Sequence, residues 1–182
     1  MVLSKEEVKK ILNATSNIKH KAILMLMYFG GLRVREIIRF GPEDIDANRK
    51  LIYIRALKGR KDRYTLLSDV ALQTLREYWK KEKPQKWLFP SWNKEKHTTA
   101  RTVQKIFQNA CKKAGINKDI FVHSLRHSFA TYLLESGIDL MYIQKLLRHK
   151  LFAYLPYRVV YPNSSDVNEL FEIQLGGGRL NV

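Results

Sequence analysis

The chain has 182 residues and a formal net charge of +16, with 33 Lys and Arg against 17 Asp and Glu. This length and a hydrophobic content of 45% suit one globular domain. No apolar run approaches about 18 residues, so no membrane-spanning helix is expected. The start of the chain shows no apolar signal sequence, and the single cysteine, Cys111, allows no intrachain disulfide. These features favour a reducing compartment, the cytoplasm.

The surplus of positive charge predicts a polyanionic partner. DNA or RNA is favoured over an anionic membrane surface, because the basic residues are spread over many predicted elements. Residues 151–182 contain two arginines and three acidic residues, so the surplus lies in residues 1–150. We therefore expect a DNA-binding core over 1–150 and a divergent tail over 151–182 that packs or contacts a partner.

Apolar periodicity predicts mostly helix. Ser4 with acidic residues after it is a typical helix start, and Gly30-Gly31 is a typical helix end. The pattern changes to short β-like runs on both sides of a basic turn, which predicts a hairpin over residues 50–68. The fold class expected is mainly α with a small antiparallel sheet. Helices are predicted from Ser4, over 18–31, 32–40, 68–81, 99–116, 123–136 and 139–149, with turns or loops over 41–46 and 84–92.

Arg33 follows the glycine pair at a predicted helix start. The free N–H groups of a helix N-terminus suit a phosphate, and a guanidinium can grip two phosphate oxygens. An isolated arginine at this place is equally typical of a solvated surface.

His123 and Arg126 are three residues apart at the start of another predicted helix, and this spacing places them on one face. The alternative is a structural histidine beside a surface arginine. His127 is interpreted as structural and could face inward. His149 ends the last predicted helix, where the helix dipole alone would favour a histidine.

The remaining basic candidates are expected to contact DNA phosphates. They lie in the predicted helix over 32–40, in the hairpin and on the predicted helix over 99–116. They are Arg35, Lys58, Arg60, Lys61, Arg63, Arg101 and Lys105.

The order of these motifs resembles the catalytic domain of the tyrosine recombinases, the phage-integrase and Xer family. The resemblance covers nearly all of residues 1–150. The segments that carry it are GGLRVREI (30–37), ALKGRKDRYTLL (56–67), VHSLRHSFATYLLESG (122–137) and IQKLLRH (143–149).

The resemblance implies a role for each matching residue. Arg33 and Arg126 would clamp the scissile phosphate, and Lys58 would protonate the leaving 5′ oxygen. His123 and His149 would serve as hydrogen-bonding and acid–base groups, while Glu36 would support the site without reacting. A tyrosine would attack the phosphate and form a 3′-phosphotyrosine, with no metal, cofactor, ATP or small-molecule substrate.

The tail departs from the family pattern. The family places its nucleophile nine residues beyond the last histidine, which is Arg158 in this chain, and Arg148 replaces a glycine. Tyr157 is therefore the best candidate nucleophile, with Tyr154 and Tyr161 as alternatives.

Two hypotheses follow from the resemblance. The first is a site-specific recombinase or integrase that acts as a tetramer on two DNA duplexes, without the N-terminal DNA-clamping domain usual in the family. The second is a non-catalytic DNA-binding remnant of the same fold.

Overall fold

The computed structural model describes residues 1–55 and 62–147. Helices dominate these residues, and a small antiparallel sheet joins them, so the predicted fold class is confirmed. The helices are α1 (Lys5–Asn13), α2 (Ile18–Phe29), α3 (Val34–Ile37), α4 (Asp69–Glu82), α5 (Ala100–Lys113), α6 (His123–Glu135) and α7 (Leu140–Leu147). The strands are β1 (Ile45–Asp46), β2 (Leu51–Ile54) and β3 (Arg63–Leu66).

Helix α2 forms the centre of the core. Every residue from Ala22 to Phe29 is buried, as expected for a helix that is apolar on all sides and covered on all sides. Helices α4, α5 and α6 pack around it. Helix α1 covers one further side with an apolar stripe of Val8, Ile11 and Leu12, and Ser4 and Glu7 form a reciprocal capping box at its start.

Helix α3 is shorter than predicted. The sequence favoured helix over 32–40, whereas the structure ends the helix at Ile37. Ile38 and Phe40 turn into the core, at 7% and 3% exposure. The carbonyl of Phe40 accepts a hydrogen bond from the backbone N–H of Leu88 at 2.7 Å instead of continuing the helix.

The sheet has the order β1–β2–β3, with both pairs antiparallel. The β2–β3 hairpin was predicted, but strand β1 lies in a segment predicted as a turn. Ile45 pairs with Ile52 in that first ladder. On β3, Thr65 lies on the buried face and Tyr64 on the exposed face, following the two-residue period of a strand.

The remaining helices agree with the predicted ones: α2, α5 and α6 end one to three residues before the predicted ends, and α4 ends one residue later. Helix α5 ends at Lys113 because Gly115 adopts a φ of +69° and the N–H of Ile116 turns back to the Cys111 carbonyl. Among the described residues, no helix combines the length and apolar character needed to cross a bilayer.

Gly31 lies where α2, α6 and α7 meet. Its φ is +57°, and a Cβ atom at this position would lie 2.3 Å from Leu147 Cδ2 and 3.2 Å from Phe129 Cδ1. Both the backbone conformation and the close approach therefore require glycine. Gly115 has a similar φ of +69° but no atom within 4 Å of the corresponding Cβ position.

The comparison of these two glycines tests the packing at the junction. We expect Gly31→Ala to lower the free energy of unfolding by about 2–4 kcal/mol, because a left-handed alanine and a steric overlap add together. Gly115→Ala should lower it by only ~1 kcal/mol, from the backbone conformation alone. Urea denaturation of both variants measures the difference. Equal losses would contradict a tight junction at Gly31.

Candidate active site

Arg126 is the most deeply buried charged group among the predicted site residues. It lies one turn into α6 and is 4% exposed. Its two terminal nitrogens donate hydrogen bonds to the carbonyl oxygens of Gly31 and Leu147. Arg126 therefore ties the end of α2 and the end of α7 to the beginning of α6.

Arg33 is the N-cap residue of α3 and is bound to Glu36. Its backbone N–H donates to Glu36 Oε2 at 2.8 Å, and its Nη1 lies 3.3 Å from Glu36 Oε1. The side chain of Arg33 is 28% exposed and that of Glu36 is 10% exposed. The carboxylate thus holds Arg33 at the beginning of the helix while part of the guanidinium remains open to solvent.

Arg63 was predicted to contact DNA near the hairpin tip, and the structure places it differently. Its Nη2 donates to both Glu36 oxygens, at 2.9 and 3.0 Å, and its side chain is only 10% exposed. Arg63 begins β3 on the same face as the buried Thr65, opposite Ile54 of β2. It is therefore a buried ion-pair partner of Glu36 at the base of the hairpin.

The sequence contained a signal for this placement. Residues 63 and 65 must share one face of a strand, and a buried Thr65 would bring Arg63 inward. Thr65 Oγ1 donates to the carbonyl of Gly30 at 2.9 Å, so the base of β3 is joined to the glycine pair. The sequence interpretation treated Arg63 as one of several basic tip residues and missed the alternation.

The cluster has a surplus of positive charge. Burial, followed by the charges of Arg33 and Arg63, lowers the pKa of Arg126 to about 9, while Glu36 opposes the shift. The guanidinium stays protonated at neutral pH, but neighbouring positive charges destabilise its charged form. Such a cluster is expected to bind an anion.

His123 begins α6, and its surroundings disfavour the imidazolium. Partial burial, followed by His127, Arg126 and Arg33, lowers the pKa of His123. The charges of both arginines therefore act on His123 and favour its neutral form. Val122 at the N-cap provides no side-chain cap, and the N–H groups of Ser124 and Leu125 donate instead to the carbonyls of Phe121 and Val122, at 2.7 and 3.3 Å.

The sequence left open an inward-facing His127, and the structure exposes this residue instead. It lies on the same helix as the buried Arg126, one position further round. A one-residue step on a helix rotates the side chain by about 100°, which takes His127 away from the core.

The predicted DNA-contacting residues of α3 and α5 are exposed. Arg35 projects from α3, and Arg101 and Lys105 lie one turn apart on α5. The opposite side of α5 is buried through Val103, Phe107 and Ala110, which makes α5 strongly amphipathic. A basic exposed face on a helix of this kind is suited to phosphate contacts.

Several predicted residues lie outside the described residues. They are Lys58, Arg60, Lys61, Arg148, His149, Tyr154, Tyr157, Arg158 and Tyr161. Their roles, and the division into a core over 1–150 and a tail over 151–182, stay predictions. Within residues 1–55 and 62–147, no group of three or more His, Cys, Asp or Glu side chains could hold a metal ion.

Comparison with known proteins places this geometry in a family. Residues 1–155 match the phage integrase family. The chain is 37% identical over 150 residues to the tyrosine recombinase XerA of Pyrococcus horikoshii, covering 81% of this chain and 52% of that protein. It is 33% identical over 150 residues to a tyrosine recombinase of Thermosipho africanus, covering 81% of this chain and 52% of that protein.

Solved structures agree with the sequence comparison. A crystal structure of XerA recombinase superimposes with a TM-score of 0.76 at 31% identity, over 82% of this chain and 55% of that one. The structure of XerH bound to its difH substrate before cleavage has a TM-score of 0.73 at 24% identity, covering 82% of this chain and 47% of that one, and shows the same fold.

The chain belongs to the phage integrase family, and the predicted family and catalytic-domain fold are confirmed. It spans about half the length of the curated relatives it matches.

The Glu36 ion pairs can be tested by stability. We expect Glu36→Gln to lower the free energy of unfolding by about 3 kcal/mol, because it leaves two poorly solvated arginines without their counter-charge. Glu43→Gln is the matched control, since Glu43 pairs with Arg55 at 2.9 Å but both side chains are about 60% exposed; it should cost less than ~1 kcal/mol. Urea denaturation measures both variants, and a Glu36 variant as stable as the control would contradict a structural role.

The electrostatic link between His123 and Arg33 can be tested by titration. Arg33→Ala should raise the pKa of His123, because removing a nearby positive charge favours the imidazolium. Arg35→Ala, on the same helix but exposed, should leave it unchanged. NMR titration of the histidine ring protons gives both values. An unchanged pKa of His123 in the Arg33 variant would show that the two side chains do not interact electrostatically.

Proposed function

We propose that this chain is the catalytic domain of a site-specific DNA recombinase or integrase that cuts and rejoins DNA through a 3′-phosphotyrosine. The observation that carries the proposal is that Arg33 and Arg63 share one carboxylate, Glu36, while the charges of both arginines act on the buried Arg126. The charge of Arg33 also acts on His123. A single acid cannot balance three guanidinium groups. The positive charge that remains exceeds the single negative charge of a phosphodiester, so it can also stabilise the additional negative charge that develops during attack.

Arg33 and Arg126 would stabilise the negative charge that develops on the phosphate during the reaction. Attack by a tyrosine oxygen on phosphorus builds negative charge on the non-bridging oxygens while the bond to the 5′ oxygen breaks. Fixed guanidinium groups stabilise that charge most effectively when they need no rearrangement. Arg126 is held by two carbonyls and Arg33 by Glu36, so both are preorganised in this sense.

The other roles follow from the family resemblance. Neutral His123 can accept or donate a hydrogen bond at the phosphate, and Lys58 would give a proton to the leaving 5′ oxygen. His149 would be the second acid–base histidine and Tyr157 the nucleophile. The phosphotyrosine conserves the energy of the broken bond, so rejoining requires neither a metal nor ATP.

We further propose double-stranded DNA as the substrate and a tetramer on two duplexes as the active assembly. XerH is described as bound to its difH substrate before cleavage, which supports DNA as the partner of this fold. The basic faces of α3 and α5 are consistent with it. A DNA substrate favours the cytoplasm as the compartment. The alternative is a DNA-binding remnant, which the departures after His149 favour.

Covalent capture distinguishes the two functions. A duplex nicked near the cleavage point should trap a denaturant-stable protein–DNA adduct, because the short released strand diffuses away and rejoining fails. Mass spectrometry of the adduct should identify Tyr157. An adduct at Tyr154 or Tyr161 would reassign the nucleophile, and DNA binding without any adduct would favour the remnant.

Arg33→Ala tests the cleavage step more specifically than Arg126→Ala does. Arg126→Ala also removes the bonds to Gly31 and Leu147, so it tests folding and chemistry together. Arg33→Ala should lower the rate of adduct formation by about 10²–10³-fold, as expected for one transition-state donor, with duplex affinity nearly unchanged. Arg76→Ala on α4, also exposed, is the charge-matched control. Equal rates of adduct formation for the Arg33 and Arg76 variants would show that Arg33 has no role in the reaction.

A further inference from the structure

The loop between α4 and α5 presents an indole to solvent. Trp92 is 95% exposed, the most exposed large hydrophobic side chain among the described residues. We define the Trp92 loop as residues 91–97. Trp92 is not part of the candidate active site, and the sequence predicts only a loop over 84–92.

The backbone of the Trp92 loop is well ordered by its own hydrogen bonds. The N–H of Ser91 donates to the Lys96 carbonyl at 2.7 Å, and the N–H of Lys96 donates to the Asn93 carbonyl at 2.9 Å. Pro90 and His97 form an antiparallel bridge at the base. Exposure of Trp92 is therefore a consequence of a defined turn.

A second tryptophan supports the loop from beneath. Trp87 Nε1 donates to the carbonyl of Glu95 at 3.0 Å, and the Trp87 ring packs edge-on against His97 with centroids 5.1 Å apart. Lys86 pairs with the Glu95 carboxylate at 3.1 Å. Trp87 performs the packing, so the structure does not require Trp92 for the same purpose.

The surface around Trp92 is basic. Lys94 and Lys96 are both exposed in the turn, while the one acid of the loop, Glu95, is bound to Lys86. An exposed indole in the same turn as two lysines combines an apolar face, an N–H donor and two positive charges. This chemistry suits the sugar–phosphate backbone of a nucleic acid better than it suits an acidic or a purely apolar partner.

The loop leads directly into the basic helix. Thr99 caps α5 by accepting the N–H of Thr102, and Arg101 and Lys105 follow on the exposed face. Lys96 and Arg101 are five positions apart in the chain, so their Cα atoms are separated by at most roughly 18 Å. The Trp92 loop and the basic face of α5 are thus close enough to contact neighbouring phosphates of one duplex.

We propose that the Trp92 loop is a DNA-backbone anchor beside α5. The indole packs against a deoxyribose and Nε1–H donates to a phosphate oxygen, while Lys94 and Lys96 neutralise adjacent phosphates. Because the turn is already ordered, little conformational entropy is lost on binding. Contacts of this kind carry no base specificity, so the anchor serves any sequence. This inference rests on the proposed DNA-binding function.

The test measures affinity for a random 30-base-pair duplex by fluorescence anisotropy across a range of salt concentrations. Trp92→Ala should weaken binding by roughly fivefold or more, the low end of an aromatic contact with a nucleotide. Trp79→Ala, which removes a 42% exposed indole on α4, is the matched control. Circular dichroism checks that both variants remain folded.

The charge contribution is measured in the same experiment. Lys94→Ala with Lys96→Ala should reduce the slope of log K against log salt by about 2, since each phosphate contact contributes about 0.9. The control is the exposed pair Lys80 and Lys81 on α4, both changed to alanine, which should leave the slope unchanged.

The outcomes separate this inference from the proposed function. Duplex binding by the wild-type chain, with a loss for Trp92→Ala no larger than for Trp79→Ala, overturns the anchor and leaves the recombinase proposal intact. Failure of the wild-type chain to bind duplex DNA overturns both. A larger loss for the Trp92 variant, together with the reduced salt slope, supports the anchor.

Discussion

The hydrogen bonds of the Arg126 guanidinium organise the described part of the molecule. This side chain is 4% exposed and donates to the carbonyls of Gly31 and Leu147. Both carbonyls lie at helix C-terminal ends, where the last carbonyl groups lack partners within their own helix and carry partial negative charge. One cation therefore satisfies two helix ends and joins α2, α6 and α7. In the function proposed above, the same residue would also bind the scissile phosphate, so core packing and chemistry would depend on one residue.

Glu36 limits the electrostatic cost of assembling the site. Its carboxylate binds both Arg33 and Arg63, with Nη-to-oxygen distances between 2.9 and 3.3 Å. Without this carboxylate, three guanidinium groups would be brought together in a poorly solvated place. With it, the cluster remains positive but stable, which is the condition needed to receive an anion. The Arg33 guanidinium is thereby held in place without a bound anion.

Elements that are far apart in the chain meet at the glycine pair. Thr65 of β3 donates to the Gly30 carbonyl and Arg126 of α6 donates to the Gly31 carbonyl. A side chain at Gly31 would overlap Leu147 and push α7 away. Small size at position 31 is thus a condition for the packing of α2, α6 and α7.

The phosphate-binding role expected of Arg33, His123 and Arg126 followed from the resemblance to the tyrosine recombinases, whereas local pattern in the sequence determined the helices and the β2–β3 hairpin. These features depend on residues close together in the chain, where periodicity, capping and spacing act directly. Only the tertiary structure decided that Arg63 is buried against Glu36, that His127 faces solvent, that α3 ends at Ile37 and that Ile45 and Asp46 form a strand. Each of these depends on contact with a distant segment: strand pairing chooses the face of Arg63, and the Phe40–Leu88 hydrogen bond replaces the next turn of α3. Sequence alone lists the charges, whereas packing decides which of them meet.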